Sequence, residues 1–146
     1  MKFEDYRITE QLKENLARLE FKRPTDIQFK CIPHIQKGED LLAIAQTGTG
    51  KTAAFMVACY DYLLKNPARD DKRANQPRAL ILAPTRELAI QIHKDAASIG
   101  RHTGLKLGLA YGGTGYEEQR NQITDGVDIL IGTPGRISDY FKQHVF

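Results

Sequence analysis

The apolar positions of the chain recur with two periods. Leu12, Leu16 and Leu19 are spaced by four and three, which predicts an amphipathic helix behind Thr9, a suitable N-cap. A second helix is expected from Pro24, with Ile27, Cys31 and Ile35 on one face and Pro33 near its end. Phe55, Cys59, Tyr62 and Leu63 continue a helix from Lys51 to about Lys65, and Leu88, Ile92, Ala96 and Ile99 mark another. Shorter helices are expected from Tyr116 to about Thr124 and from Thr133 through Tyr140. Short apolar or alternating runs at 41–45, 79–83, 106–111 and 128–132 predict strands, and the wholly apolar run 79–83 suits burial on both faces. Residues 1–8 read as an extended lead-in. Residues 66–78, bounded by Pro67 and Pro77 and rich in charge, read as a solvated loop.

Strands alternating with amphipathic helices, without internal repeats, describe an α/β domain with a mainly parallel sheet covered by helices on both faces. Ligands of such domains gather at the carboxyl ends of the strands. Four polar or glycine-bearing stretches follow predicted strands directly: 45–52, Pro84-Thr85-Arg86, Gly112-Gly113 and Thr133-Pro134-Gly135-Arg136. They are therefore expected to share one edge of the sheet.

The first of these is Ala45-Gln46-Thr47-Gly48-Thr49-Gly50-Lys51-Thr52. Strand, glycine-rich turn, Lys-Thr and helix make the layout of a phosphate-binding P-loop, in its relaxed form because Ala45 stands where the strict pattern has Gly. Gly48 and Gly50 let the backbone curl so that successive N–H groups face phosphate oxygens. The helix opening near Lys51 adds its positive dipole end. The Lys51 ammonium is suited to the β/γ-phosphates and the Thr52 hydroxyl to a nucleotide-bound Mg²⁺, so these two are the candidate catalytic residues.

Composition narrows the class only slightly. A chain of 146 residues, 41% hydrophobic and 27% charged, suits one globular domain. A net charge of +3 permits a polyanionic partner without arguing for one. Cys31 and Cys59 lie in apolar helical patterns without metal-ligand spacing, and both are expected to be buried free thiols in a reducing compartment. His34, His93, His102 and His144 show no ligand spacing and suit the surface. No apolar stretch is long enough to span a bilayer and the N-terminus lacks a signal-peptide core, so a cytoplasmic protein with no membrane partner is expected.

The motifs in order carry a further reading. Phe21-Lys22-Arg23-Pro24-Thr25-Asp26-Ile27-Gln28, the P-loop, Pro84-Thr85-Arg86-Glu87-Leu88-Ala89, Gly112-Gly113 and Thr133-Pro134-Gly135-Arg136 together resemble the first RecA-like domain of DEAD-box ATP-dependent RNA helicases, from Phe3 essentially to Phe146. The resemblance implies a RecA-like P-loop αβα sandwich, with ATP and Mg²⁺ as cofactors and RNA as partner. It implies that residues 1–28 form an adenine-recognition segment, in which Gln28 reads the adenine edge, Phe21 stacks on its face and Arg23 belongs to the same nucleotide site. Glu20 departs from the family, which has glycine there; this bears on local backbone geometry. Pro84, Thr85, Arg86, Gly112, Gly113, Thr133, Pro134, Gly135 and Arg136 would grip the RNA backbone, with Thr85 and Thr133 as N-cap candidates, so binding should be sequence-tolerant and salt-sensitive. Residues 75–116 look especially like a branch of the family working in bacterial RNA-degradation assemblies, which implies such an assembly as a partner through parts outside this chain.

Hydrolysis also needs carboxylates to hold Mg²⁺ and to position water, and none of the predicted strands here ends in one. The resemblance places the Asp-Glu-Ala-Asp strand and the second RecA-like domain beyond Phe146. The chain is thus expected to be a truncated piece that binds nucleotide without turning it over, with strand edges and apolar surface exposed. Two other readings stay open: a non-catalytic nucleotide- or RNA-binding module, and a P-loop helicase acting on DNA.

Overall fold

The computed structural model describes residues 9–19, 26–37 and 51–146. The predicted strand 41–45, residues 1–8 and most of the P-loop lie outside the described residues. The chain divides into two compact units, Met1–Pro67 with Asp95–Gly104, and Ala68–Lys94 with Leu105–Phe146.

The first unit is helical among its described residues, with α1 (Glu10–Arg18), α2 (Asp26–Gln36), α3 (Lys51–Lys65) and the last residues of α4 (Arg86–Ile99). Leu12 and Leu16 of α1 are fully buried, as their spacing predicts. Thr9 occupies the N-cap position, but its hydroxyl makes no capping bond; its backbone N–H donates to the buried Asp61 carboxylate of α3 at 3.0 Å instead. Asp61 also meets Lys65 Nζ at 2.8 Å. The helix expected from Lys51 to about Lys65 is present, and its buried face takes only Leu63 of the residues that mark its pattern. Met56, Val57, Tyr60 and Leu63 are buried, whereas Tyr62 is exposed and Phe55 and Cys59 are only partly covered. The helix is apolar on most of its circumference, so periodicity alone could not choose the inward face. Of the two free cysteines, Cys31 is buried as expected and Cys59 is not fully so.

Polar anchors complete this unit. The Asn15 side chain, with no exposure, donates to the carbonyls of Ile99 and Arg101 at 2.8 and 2.6 Å, satisfying orphan carbonyls where α4 ends. Tyr60 donates its hydroxyl to the Ala96 carbonyl at 2.8 Å, and burial pushes its pKa well above the ordinary value. Gly100 leaves room for that ring, because a Cβ there would run into it.

Among the described residues the second unit carries a sheet of three strands, β1 (Ala79–Leu82), β2 (Leu107–Ala110) and β3 (Ile129–Gly132), in the order β1-β3-β2 and parallel throughout. With it go the start of α4, α5 (Tyr116–Asp125) and α6 (Pro134–Lys142). Every residue of the central strand β3 is buried. In a parallel register Leu80, Leu130 and Gly108 share one face, and over that face Ile123 of α5 and Ile137 and Tyr140 of α6 join Leu130, Ala110, Val127 and Val145 in one core. The expected two-sided burial of 79–83 is not found. Leu80 and Leu82, on that same face of β1, are 49% and 54% exposed. The apolar run reports a strand, but only the middle position in the sheet covers both faces, and β3 holds that position.

Candidate phosphate-binding edge

The register decides how the site is assembled. Leu82 and Ala110 are both paired with Gly132, so the three strands end at one level. Two backbone bonds continue the ladder past those ends, from Ala83 N–H to the Gly132 carbonyl at 2.9 Å and from Thr133 N–H to the Ala110 carbonyl at 3.0 Å. Neighbouring strands lie about 4.8 Å apart, so the turns after β1, β2 and β3 emerge side by side. Pro84-Thr85-Arg86, Gly112-Gly113 and Thr133-Pro134-Gly135-Arg136 thus share one edge of the sheet, as expected from the alternation of elements.

Gly132 makes the sharp exit from β3 possible. A Cβ at this position would run into the Ala110 carbonyl and press on Ile137 at 2.7 Å. Thr133 then takes the extended N-cap conformation, with Pro134 opening α6. The Thr133 hydroxyl makes no capping bond. Thr85 behaves differently: its hydroxyl accepts the backbone N–H of Leu88 at 3.2 Å in the ordinary N-cap manner.

Arg86 is half-exposed, with its guanidinium 5.9 Å from the centre of the Tyr111 ring. It flanks Gly113, whose φ of 98° suits glycine; a Cβ there would lie 3.7 Å from Arg86 Nη1. A Cβ at Gly112 would meet nothing within 4 Å, so protein packing does not demand glycine there and the backbone is open to approach from outside.

Arg136 is engaged inside the unit. Its guanidinium lies 5.1 and 5.6 Å from the ring centres of Tyr116 and Tyr140, which are themselves 5.0 Å apart. Nη1 also donates to Gln119 Oε1 at 3.0 Å and to the Thr114 carbonyl at 3.4 Å. Tyr140 in turn donates its hydroxyl to the Tyr116 carbonyl. None of these partners is suggested by the sequence patterns, which mark 116–124 only as a polar helix.

Of the predicted nucleotide-site residues, Phe21, Arg23, Ala45, Gln46, Thr47, Gly48, Thr49 and Gly50 lie outside the described residues. Gln28 falls within α2. Lys51 and Thr52 form the first positions of α3, whose N-terminal N–H groups have no partner within the helix. Among the described residues, no three His, Cys, Asp or Glu side chains gather as a metal site, and no helix is long and apolar enough to cross a membrane.

The parallel sheet with flanking helices matches the RecA-like domains of DEAD-box proteins. The chain belongs to the DEAD/DEAH box helicase family, whose model matches residues 25–146. It is similar to the ATP-dependent RNA helicase RhlB of Salmonella dublin and of Salmonella newport, each 54% identical over 143 residues, or 98% of this chain. The chain spans about a third of the length of these curated relatives (34%). A DEAD box protein from the hyperthermophile Methanococcus jannaschii shares the fold with a TM-score of 0.86 and 32% identity, covering 100% of this chain and 38% of that one. A second structure, described as a hypothetical ATP-dependent RNA helicase from Sulfolobus tokodaii, gives a TM-score of 0.80 at 31% identity, covering 95% of this chain and 38% of its own.

Proposed function

We propose that the protein of which these residues form part is an ATP-dependent RNA helicase, coupling ATP binding and hydrolysis to local duplex unwinding or to remodelling of RNA–protein complexes. The observation that carries this reading is the in-register sheet edge, where Thr85-Arg86, Gly112-Gly113 and Thr133–Arg136 lie side by side although far apart in sequence. Threonine hydroxyls, open glycine backbone and the half-exposed Arg86 are suited to a phosphodiester chain, and contacts to phosphate carry no sequence information. RNA binding should therefore be tolerant of sequence and weaken steeply with salt. Family membership and the likeness to relatives described as ATP-dependent RNA helicases support RNA over DNA as the strand bound.

ATP would be held by residues 45–52, with Lys51 on the β/γ-phosphates, Thr52 on Mg²⁺, and Phe21, Arg23 and Gln28 at the adenine. When bound, Mg²⁺ neutralises charge on the phosphates; the chain's own part is to orient them with backbone N–H groups and the Lys51 ammonium. Residues 1–146 end no predicted strand in a carboxylate, so this segment alone is expected to bind adenine nucleotide without releasing phosphate. The test is RNA-stimulated phosphate release by the full-length protein, alongside its Lys51→Ala variant and the isolated segment. Stimulation in the wild type alone is expected. Equal release by Lys51→Ala, or RNA-stimulated release by residues 1–146, would count against the reading.

A further inference from the structure

Gln119 lies outside every motif that the nucleotide and RNA readings use, yet its amide holds both ends of the glycine loop between β2 and α5. Oε1 accepts the backbone N–H of Tyr111 at 2.9 Å, at the start of that loop. Nε2 donates to the Thr114 carbonyl at 3.3 Å, near its end. Gly112 and Gly113 lie between the two anchored residues. The same Oε1 accepts from Arg136 Nη1 at 3.0 Å, and Arg136 reaches the Thr114 carbonyl as well. Arg136 stands on the first turn of α6, so one amide connects the turn after β2 with the turn after β3.

The loop needs such a staple. Gly113 and Gly115 have φ values of 98° and 70°, and glycine gains the most freedom of any residue when it is released. Tyr111 N–H is also a donor just beyond the last residue of β2, and Gln119 supplies its acceptor. Gly115 lets the side chain fold back: a Cβ there would sit 3.0 Å from Gln119 Nε2. Gln119 itself is only half-buried, so its replacement leaves the hydrophobic core of the unit intact.

We infer that Gln119 is a positioning residue for RNA binding, ordering the Gly112-Gly113 backbone and aligning it with the start of α6 through Arg136, without touching RNA itself. This rests on the reading of that sheet edge as the RNA-binding surface. In energetic terms the amide bears part of the ordering cost before RNA arrives, so its loss should weaken binding through the loop and leave the phosphate-gripping groups in place.

The experiment uses the full-length protein with Gln119→Met, Gln119→Glu and Arg86→Ala, measuring Tyr111 amide exchange and the RNA concentration that half-saturates ATP turnover. Methionine keeps the shape without the hydrogen bonds. Gln119→Met removes all three of these hydrogen bonds, and it should expose the Tyr111 amide to exchange and raise half-saturating RNA about tenfold, the worth of one to two ordinary hydrogen bonds, with kcat at saturating RNA retained. Gln119→Glu keeps the acceptor for both Tyr111 and Arg136 and should restore Tyr111 protection. If Arg86→Ala weakens RNA binding while Gln119→Met matches the wild type in both readouts, the positioning role is overturned and the RNA-binding edge stands. If Gln119→Met loosens the loop and leaves half-saturating RNA unchanged, the staple is structural only and the inference is again overturned. If Arg86→Ala has no effect and RNA does not stimulate the wild type, the edge reading falls and the inference with it.

Discussion

Arg86 and Arg136 each follow a strand-ending turn, and sequence treats them alike, yet the fold uses them differently. Arg86 stays half-exposed beside Tyr111 and Gly113, with its Nε 3.9 Å from Glu87 Oε1. Arg136 is held by two tyrosine rings, an amide and a carbonyl, contacts that depend on its planar fork and that lysine could not reproduce. Gly132 is the tightest single position at this edge. Gly132→Ala should destabilise the protein by about 1–3 kcal/mol, because backbone and Ile137 must both move, and urea unfolding measures it. His93 makes a pH-dependent contribution. Burial lowers its pKa below 6.5, so the unfolded chain takes up the proton first. Stability should fall as pH drops from about 6.5 through the lower folded value, and level off below it. Denaturant titrations at several pH values should show this slope reduced in His93→Gln.

Among the elements, helices were legible, and their buried faces only where the apolar stripe was narrow. The spacing of Leu12 and Leu16 marks both the helix and its buried face, since α1 is polar elsewhere. In α3 most positions are apolar, and packing buries Met56, Val57, Tyr60 and Leu63 while Phe55 and Cys59 are only partly covered and Tyr62 is exposed. The Thr9 cap likewise was right in position and wrong in chemistry, because the Asp61 carboxylate binds the Thr9 N–H while the hydroxyl makes no capping bond. Asn15 had no signal beyond being a polar residue on a helix. It joins α1 to the end of α4 by two bonds at 2.8 and 2.6 Å. Asn15→Ala should cost about 1–3 kcal/mol by leaving buried carbonyls unsatisfied, whereas an exposed asparagine would cost almost nothing. The loss should appear as a lower denaturation midpoint.

For the molecule as a whole, the parallel register brings three distant turns to one edge, and the same sheet leaves Leu80 and Leu82 half-exposed on β1. Exposed apolar side chains on a short strand favour association. Residues 1–146 in isolation are expected to self-associate as concentration rises, and a Leu80→Glu, Leu82→Glu variant should sediment as a smaller species than the unaltered segment. What the sequence determined by itself was the kind and order of elements, and with them the fold class. Periodicity, glycine and proline positions and strand-ending motifs are local properties, written into consecutive residues. That the turns at Thr85-Arg86, Gly112-Gly113 and Thr133–Arg136 share one sheet edge was legible for the same reason. Tertiary structure alone decided which apolar run became the central strand, which face of α3 turned inward, and that Gln119 and Arg136 would fasten the glycine loop. Those outcomes depend on pairings between residues tens of positions apart, set by register and packing, and no local pattern encodes them.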